Sequence, residues 1–479
     1  MASRLDWYRG KNIHVLGPAG TEGSAVLEFL LRRGLTTLTA HELLRPEEFV
    51  SEFERTHQWL PPAERAAAAR RILTAPIVMR WADRYLEGIE DAEVIFVPQS
   101  WFRHPRNAAV RERRDRGVPL SSMTHLFFEE SPCPIIAVTG TNGKFTVAHL
   151  IHQMLLRSGR RAFFSGNDRS HVPMLAYVDE LRPDDWLVLE ISNRQLMGLP
   201  YSPRIGVITN IAPHHLDDHG SLDAYVEVKF NLLRQQGPND LAVLNADNVH
   251  TARLAARVRH PYLFSRQRKV TPGAYVEGDT LVVARDVVQA IPRAVVRQPG
   301  GHALENALAA CLAAALAGAS APAMAEALDD FQGLPYRFRL VAESGGVRYY
   351  EDSLATNPTA AAAAIEAMDR PFVLIAGGAR PQATPEQFVP MRQALDRAPV
   401  RAVLLIGATT PPLQVALAGL GAPVTAVGTL ERAVEEARSI VRPGEAVLLS
   451  PGCESFDQFR DYRERGDRFA ALVRQELRA

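Results

Sequence analysis

The sequence predicts an α/β protein composed of three sequential domains. The first observation is a pattern of short apolar segments, each followed by a glycine turn and then by a helix with apolar residues at helical spacing. The second is that this pattern occurs in three successive series along 479 residues, a length that fits about three domains of ~150 residues. We expect domains at 1–130, 131–335 and 336–479, of which the first and last are Rossmann-like and the central one has a mostly parallel sheet.

The composition and charge of the chain indicate a globular protein. Hydrophobic residues make up 47% of the chain, and 54 basic residues balance 54 acidic ones, so the net charge gives no support for binding nucleic acid or a membrane surface. The three cysteines are widely scattered, which fits neither a disulfide framework nor a zinc site. Because the first residues also lack an apolar signal segment, we expect a cytoplasmic protein without nucleic-acid or membrane partners. We also expect a monomer.

The first series opens with "NIHVLGPAGTEGSAVLEFLLRRG", in which a short apolar strand leads through a glycine turn into a helix. Gly17, Gly20 and Gly23 give the spacing G-x-x-G-x-x-G, which is close to a dinucleotide fingerprint but differs from it. Such turns also serve helix–sheet packing alone. The spacing by itself therefore leaves both nucleotide binding and packing open.

The second series contains "AVTGTNGKFTVAHL", a segment that is similar to a phosphate-binding loop with two departures. The generic loop has a glycine where Val138 stands and a serine or threonine where Phe145 stands. The turn from Thr139 to Lys144 can nevertheless surround a phosphate with backbone N–H groups, and Lys144 adds a positive charge. A nucleotide site, an inactive site and a glycine turn that only starts a helix are the three interpretations of this segment.

Three further residues are candidates for chemistry in the same domain. Glu190 ends the strand "WLVLE" with a carboxylate suited to Mg²⁺, and His215 follows the next strand within "NIAPHHLDDH". Each alone is more typical of a solvated surface, but their conjunction with the loop favours a site. Lys229 lies among apolar helix residues, where a lysine usually extends its ammonium to water, so its spacing alone does not favour a function.

These segments, in this order, resemble the Mur ligase family, whose members use ATP to form amide bonds in peptidoglycan precursor synthesis. The resemblance covers nearly the whole chain and rests on "VTGTNGK", "VLEISNRQL", "TNIAPHHLDDHGSLDAYVEVK", "GGHALENALAA", "GLPYRF", "YEDSLATNP" and "LLSPGCESFDQFRDYRERGDRF". It implies that the central domain is a P-loop ATPase and that the chain is a ligase of cell wall biogenesis, and so of cell shape and cell division. The closing segment favours the branch of the family that adds D-glutamate.

The resemblance also implies a role for each candidate residue. ATP would be bound by Gly140, Thr141, Asn142, Gly143, Lys144 and Thr146, and by Asn306, Arg337 and Asp352 at its adenine, phosphate and ribose. Two Mg²⁺ ions would be bound by Glu190, His215 and Lys229, the last as a carbamate formed from CO₂, and Lys144, His215 and Lys229 would be catalytic. UDP-N-acetylmuramoyl-L-alanine would contact Gly17, Gly20 and Asn167, and the amino acid, D-glutamate, would contact Thr356, Arg380, Ser455 and Tyr462.

Several positions depart from the family pattern. Phe145 replaces the usual hydroxyl residue, Gln99 replaces a glycine in the first domain, and Pro381 replaces a lysine for which the adjacent Arg380 could substitute. Two alternatives therefore stay open: a ligase of the same type with another acceptor, such as L-glutamate or a different amino acid, and a non-catalytic paralogue that binds nucleotide. If the site is active, we expect the Phe145 ring to enter helix–sheet packing and Thr146 to face the phosphates.

Overall fold

The computed structural model describes residues 5–166, 172–213, 216–285, 287–298, 300–380 and 382–475. The backbone forms two compact units, one comprising Met1–Arg293 and Glu305–Ala327 and the other comprising Ala294–Leu304 and Leu328–Ala479. Within the described ranges, no helix combines the length and the apolar character that a membrane span requires.

The first sheet lies in the first unit and is parallel throughout. Its strands are β1 (Ile13–Leu16), β2 (Leu38–Glu42), β3 (Val78–Trp81), β4 (Val94–Phe96) and β5 (Leu120–Ser121), and the helices of this region are α1 (Leu5–Tyr8), α2 (Thr21–Arg32), α3 (Phe49–Thr56), α4 (Pro62–Leu73), α5 (Ala108–Asp115) and α6 (Met123–Glu130). The strand order is β3-β2-β1-β4-β5. All four residues of the central strand β1 are buried. The order reverses at β1, which is where open α/β sheets bind ligands.

The second sheet also lies in the first unit and has nine strands. Its strands are β6 (Ile135–Thr139), β7 (Ala162–Ser165), β8 (Trp186–Glu190), β9 (Ile205–Ile208), β10 (Leu241–Asn245), β11 (Pro261–Ser265), β12 (Gly273–Glu277), β13 (Thr280–Ala284) and β14 (Val288–Pro292), and the helices are α7 (Lys144–Arg157), α8 (Asn193–Leu196), α9 (Leu216–His219), α10 (Leu222–Arg234), α11 (Val249–Leu254), α12 (Gly301–Leu316) and α13 (Ala321–Asp329). The strand order is β14-β13-β12-β11-β10-β9-β6-β8-β7, and only the β12–β13 and β13–β14 pairings are antiparallel. The expected mostly parallel central sheet is confirmed.

The third sheet lies in the second unit. Its strands are β15 (Arg339–Ser344), β16 (Val347–Glu351), β17 (Phe372–Gly377), β18 (Val400–Ile406), β19 (Val424–Gly428) and β20 (Ala446–Leu449), and its helices are α14 (Pro358–Glu366), α15 (Val389–Leu395), α16 (Thr410–Ala416), α17 (Leu430–Ile440) and α18 (Tyr462–Gln475). The order is β15-β16-β20-β17-β18-β19, and only β15 runs antiparallel to its neighbour. The α/β class expected from the sequence is confirmed.

The predicted boundaries near 130 and 335 fall between the three sheets. The first sheet ends at Ser121 and the second begins at Ile135, while the second ends at Pro292 and the third begins at Arg339. The chain nevertheless forms two compact units, because the first two sheets belong to one of them. We propose that each of the three predicted domains corresponds to one sheet, and not to an independent compact unit.

Candidate active site

The turn between β6 and α7 can be formed only with glycine at two of its positions. Gly140 has φ 153° and Gly143 has φ 80°, a region that favours glycine. A Cβ atom on Gly140 would lie 1.9 Å from Thr209 Oγ1, and one on Gly143 would lie 2.2 Å from Asn306 Oδ1. The loop is therefore packed tightly against two polar side chains; one of them is Asn306, whose contact with the nucleotide stays a prediction.

Hydrogen bonds from the segment after β9 hold this loop in place. The Thr141 amide donates to the Asn210 carbonyl at 2.8 Å, and the Asn142 amide donates to Asn210 Oδ1 at 3.0 Å. The Thr209 hydroxyl donates to the Asn142 carbonyl at 2.6 Å. These hydrogen bonds between protein groups fix the shape of the loop, and a fixed loop at the N-terminus of a helix suits an anion.

Lys144, the first residue of α7, folds back over the loop. Its Nζ donates to the Gly140 carbonyl at 3.2 Å and to the Thr141 carbonyl at 2.9 Å. The side chain is half-buried. The ammonium is thus held at the loop, where a phosphate surrounded by the loop's N–H groups would need a compensating charge.

The side chain of Lys229, on α10, also reaches this loop. It is 1% exposed, and its Nζ donates to the Gly140 carbonyl at 2.8 Å and lies 4.7 Å from the centre of the Tyr225 ring. Burial, and after it the charge of Lys144, holds the pKa of this amine well below its usual value. The side chain therefore does not extend to water as a lysine in an apolar setting usually does, and the buried amine is suited to be a neutral nucleophile.

Glu190 lies at the end of the strand next to β6, the strand that leads into the loop. It ends β8 beside Val138 of β6 and is half-buried. Across the ranges that the structure describes, no three His, Cys, Asp or Glu side chains cluster closely enough to bind a metal. The expected ligand set contains a modified lysine, and His215 lies outside the described residues. A carboxylate and a lysine carbamate are both oxygen donors and fit the preference of Mg²⁺.

Phe145 takes part in packing. Its ring meets the Phe164 ring of β7 edge-on at 5.3 Å and stacks on His149 at 6.3 Å. The expectation that this ring enters helix–sheet packing is confirmed. Thr146 is half-buried at the second position of α7, and its orientation toward phosphates stays a prediction.

A cavity of 340 Å³ opens at the carboxyl end of β1, where the strand order of the first sheet reverses. Gly17, one of the two glycines predicted to contact substrate, lines it with φ 70°. Gly20 begins α2, and its amide donates to the Gly17 carbonyl at 3.0 Å, so it supports the turn. Asn167, the third predicted contact, lies outside the described residues.

The cavity is lined mainly by side chains that the sequence did not single out. They are His41, Leu43, Tyr85, Trp101, Arg103 and His104, together with other residues of the same loops. His41 Nε2 lies 2.8 Å from Nδ1 of the buried His14, and burial lowers the pKa of His14 to about 4 and that of His41 to about 3. Both imidazoles are therefore neutral. Isolated histidines, tyrosines and tryptophans carry no spacing signal, so sequence inspection could not find this group.

An ion-pair network connects the rim of this cavity to the region after the central strands. Asp218 of α9 accepts from Arg103 Nε at 2.6 Å and from Arg194 Nε of α8 at 3.1 Å. Its side chain is 4% exposed. Burial opposes ionisation of Asp218, yet the hydrogen bonds of the two arginines lower its pKa below the usual value.

The predicted amino-acid contacts lie in the second unit, on loops at the carboxyl ends of its strands. The Ala379 amide donates to the Glu454 carbonyl at 2.8 Å, which brings the segments of Arg380 and Ser455 together. Ser455 is 1% exposed, and its hydroxyl has no hydrogen-bond partner among the described residues. A buried hydroxyl without a partner is uncommon and is suited to a ligand.

The remaining predicted residues of the second unit differ in their surroundings. Thr356 is half-buried, Arg337 is exposed, and the Tyr462 ring meets the Tyr336 ring at 5.6 Å. Arg380 is half-buried and donates from Nε to the Gln387 side chain at 2.7 Å, while Pro381 lies outside the described residues.

Asp352 is buried in the second unit. It accepts from the Ser450 hydroxyl at 2.7 Å and from the Phe338 amide at 3.1 Å. Burial raises the pKa of its carboxyl to about 7. The carboxyl therefore changes its charge near neutral pH, which a ribose-binding role has to accommodate.

Arg465 is a residue of this region that the sequence did not single out. It is 1% exposed and donates to the Ser353 hydroxyl and to the carbonyls of Ser353, Cys453 and Glu454. It therefore joins the loop after β16 to the loop after β20. Sequence inspection could not find this role of Arg465, because most of its acceptors are backbone carbonyls and residue types do not reveal where those lie.

Two comparisons by sequence match this chain along most of its length. The Mur ligase middle domain matches residues 138–314, and the Mur ligase, glutamate ligase domain matches residues 336–453. A UDP-N-acetylmuramoylalanine--D-glutamate ligase of Pelotomaculum thermopropionicum is 36% identical over 97% of both chains. The protein of the same name from Symbiobacterium thermophilum is 34% identical over 95% of this chain and 96% of its own.

Solved structures share the fold at lower identity. The UDP-N-acetylmuramate-alanine ligase of Thermotoga maritima has a TM-score of 0.55 and 18% identity, covering 97% of this chain and all of its own. A pseudomurein peptide ligase type C from Methanothermus fervidus has a TM-score of 0.53 at 18% identity, covering 98% of this chain and all of its own. At this identity the likeness concerns the fold alone.

Proposed function

This chain belongs to the Mur ligase family, and we propose that it joins D-glutamate to UDP-N-acetylmuramoyl-L-alanine in an ATP-dependent step of cytoplasmic peptidoglycan precursor synthesis. The relatives that match nearly its whole length are named as D-glutamate ligases. ATP and Mg²⁺ are the cofactors of this family.

The observation that supports it best is the position of Lys229. Its side chain is 1% exposed, and its amine lies 2.8 Å from the carbonyl oxygen of Gly140. Lys229 therefore does not act as a solvated surface charge. Burial and the charge of Lys144 both favour the neutral amine. A neutral amine beside a phosphate loop is what a lysine carbamate requires as its precursor.

Carbamate formation converts this amine into a metal ligand. The nitrogen lone pair attacks the carbon of CO₂, one C=O π pair moves to oxygen, and an N–H proton leaves to solvent. The product is an N-carboxylate whose negative charge would be compensated by the neighbouring Lys144. With Glu190 and His215 it would provide the ligands for two Mg²⁺ ions.

The chemistry that the residues serve is activation of a carboxylate, because a carboxylate and an amine do not condense in water. The γ-phosphoryl group of ATP passes to the substrate carboxylate and ADP leaves. The neutral amine of the amino acid then attacks the acyl carbon, its nitrogen loses a proton to solvent, and inorganic phosphate leaves with the pair of the broken C–O bond. When bound, Mg²⁺ offsets the charge that develops on the transferring group. Lys144 and the loop amides would do the same from the protein side.

We assign the sites of the two other substrates to the cavity of the first sheet and to the loops of the second unit. The 340 Å³ cavity, with Gly17 at its wall, would receive the uridine nucleotide. The hydroxyl of Ser455, which has no hydrogen-bond partner in the described part of the chain, would receive the amino acid together with Arg380, Thr356 and, at the start of α18, Tyr462. Asn306, Arg337 and Asp352 would contact ATP.

Phosphate release is the experiment that tests the proposal. With ATP, Mg²⁺ and UDP-N-acetylmuramoyl-L-alanine present, we expect release to depend on D-glutamate within a panel of amino acids that includes L-glutamate. Release with another amino acid alone would replace the acceptor. Absence of release with every acceptor would contradict an enzyme and support a nucleotide-binding paralogue.

Lys144→Ala is the control for this experiment. Loss of one cation at a developing charge removes about 3 kcal/mol of transition-state stabilisation, or roughly a hundredfold in rate. The fold should be kept, because alanine favours the first turn of α7. Turnover near that of the wild type would show that the measured release comes from another site.

A further inference from the structure

One buried carboxylate ties two arginines together at the edge of the first-sheet cavity. Asp218 accepts from Arg103 and from Arg194 through different oxygens, at 2.6 and 3.1 Å. The carboxylate is 4% exposed while the Arg103 side chain is 42% exposed. Asp218 is thus the anchor of the pair, and Arg103 is its accessible member.

Arg103 lines the cavity, on the short helical turn Trp101–Arg103 that follows β4. The two arginines and Asp218 together have a net charge of +1, so the network is cationic beside the cavity. A guanidinium is suited to phosphate, because its planar donors match two phosphate oxygens at once.

A second contact joins the same segments. The Ser192 hydroxyl, two residues after Glu190, donates to the Gln99 side chain at 2.8 Å, and the Gln99 amide donates to Glu22 Oε2 at 2.6 Å. The rim of the cavity is therefore fixed at Gln99 and at Arg103 to the segments that follow β8 and β9. Gln99 stands where the family pattern has a glycine, and a glycine has no side chain that could make the contact with Ser192.

We propose that Arg103 recognises the diphosphate of the nucleotide substrate and that Asp218 positions it for that contact. The proposal rests on the proposed function, since it takes the cavity to be the uridine nucleotide site. Arg103 would be a binding residue and Asp218 a positioning residue. The buried carboxylate restricts a side chain that would otherwise lose rotamer freedom when it binds the anion.

Calorimetric titration of UDP and of uridine, without ATP or metal, tests the contact. Arg103→Ala should weaken UDP binding about tenfold and leave uridine binding unchanged, because uridine has no phosphate. Arg116→Ala, which removes an exposed arginine of the same domain, is the matched control and should leave both affinities unchanged. Equal UDP binding by Arg103→Ala and the wild type would overturn the proposal.

Asp218→Asn tests the positioning role with a result of defined sign. Removal of a negative charge alone would strengthen UDP binding, whereas loss of positioning weakens it, and we expect a loss of about fivefold with uridine binding unchanged. Tighter UDP binding would refute the role of Asp218. Asp218→Glu keeps the charge and shifts it by one methylene, so it should also bind UDP more weakly, which serves if the asparagine variant does not fold.

Glu227→Gln is the matched control for this substitution. Glu227 also bridges two arginines, Arg234 and Arg257, on an exposed surface of the first unit. Its loss should change neither affinity. A wild-type protein that binds neither UDP nor uridine would instead contradict the nucleotide site of the proposed function, which distinguishes the two failures.

Discussion

Lys229 shows how burial changes the chemistry of a single residue. A lysine on an apolar helix face ordinarily extends its ammonium to water, but here the side chain is 1% exposed and its nitrogen is held by the Gly140 carbonyl. The cost of burying a charge is avoided when the amine is neutral. The same neutrality makes the nitrogen reactive toward CO₂.

Lys229→Ala should abolish ligase turnover, because it removes the proposed carbamate and with it a metal ligand. Added short carboxylates such as acetate or formate should restore part of the activity by occupying the vacated volume. Phosphate release measured against carboxylate concentration tests this prediction. The exposed Lys269 offers a control, since Lys269→Ala should keep full activity. Full activity of Lys229→Ala without added carboxylate would contradict the carbamate.

Glu351 makes the stability of the second unit dependent on pH. It is fully buried beside Asp352, and burial raises the pKa of the Glu351 carboxyl to about 7. The unfolded chain ionises this group near 4.5. Between these values the folded state binds more protons than the unfolded state, so its stability is fully present below about 4.5 and falls as pH rises to about 7.

Glu351→Gln should remove that fall. The variant and the wild type should unfold at similar temperatures near pH 4. As pH rises, the variant should become more stable than the wild type, by at most about 3 kcal/mol above pH 7. Thermal unfolding across this pH range is the measurement. A difference that is constant with pH would show that the carboxyl is not the cause. Asp352 keeps its own pH dependence in both proteins, because burial raises its pKa from 3.8 to about 7, so the test is the difference between the variant and the wild type at each pH.

At the scale of elements, the start of α7 divides its side chains between packing and chemistry. Phe145 stands at the position where a phosphate loop usually has a hydroxyl residue, and its ring packs on Phe164 of β7. In the proposed function, Lys144 and Thr146 are the residues of this turn that contact the nucleotide. The element is the same strand–loop–helix as in a generic phosphate loop, with the hydroxyl one position later.

Phe145→Ser and Thr146→Val should affect different properties. The serine variant loses half-buried aromatic packing and should be destabilised by about 2 kcal/mol, with its Mg²⁺ requirement unchanged or improved. The valine variant keeps its volume but should need more Mg²⁺ for half-maximal phosphate release. Titration of Mg²⁺ with both variants tests this. An unchanged requirement in an active Thr146→Val protein would show that another hydroxyl serves the metal.

The elements of the central domain were accessible from the sequence because each has a strong local pattern. The apolar residues Val147, Leu150 and Ile151 repeat at helical spacing and are buried in α7, and Gly159 follows its end with φ 71°. In the second unit, Pro358 is the first residue of α14 and Asn357 is its cap, which is a local pattern of the same kind. Contacts between elements were not accessible, since Asp218 and Arg103 are distant in the chain and neither has a periodic signal.

At the scale of the whole molecule, three sheets form only two compact units. Local sequence patterns predict the number of sheets, because each βα series is local. They do not predict the number of compact units, since the packing of one sheet's elements on another's depends on surfaces that no local spacing describes. The candidate residues of the first unit and those of the second were assigned from motifs, and their joint use in one reaction is part of the proposed function.

Scanning calorimetry should therefore show two transitions, one for each unit. UDP at a hundredfold excess over its Kd should stabilise only the unit that contains the cavity, by about 2.7 kcal/mol. Glu351→Gln should shift only the other transition, and this assigns the two. A single transition that responds to both changes would show that the units unfold together.

The close fit of the phosphate loop against Thr209 and Asn306 has a consequence for genetics. In cells whose growth depends on this chain, Gly143→Ala introduces a methyl group into the space of the Asn306 side chain. Because the alanine would also have to adopt φ 80°, second-site changes that shorten residue 306 should restore growth only in part, and the same holds for changes at Thr209 in Gly140→Ala. Suppressor mapping should recover these two pairs of positions from growth alone, and suppressors scattered over the gene would show that the loop moves to accept the methyl group.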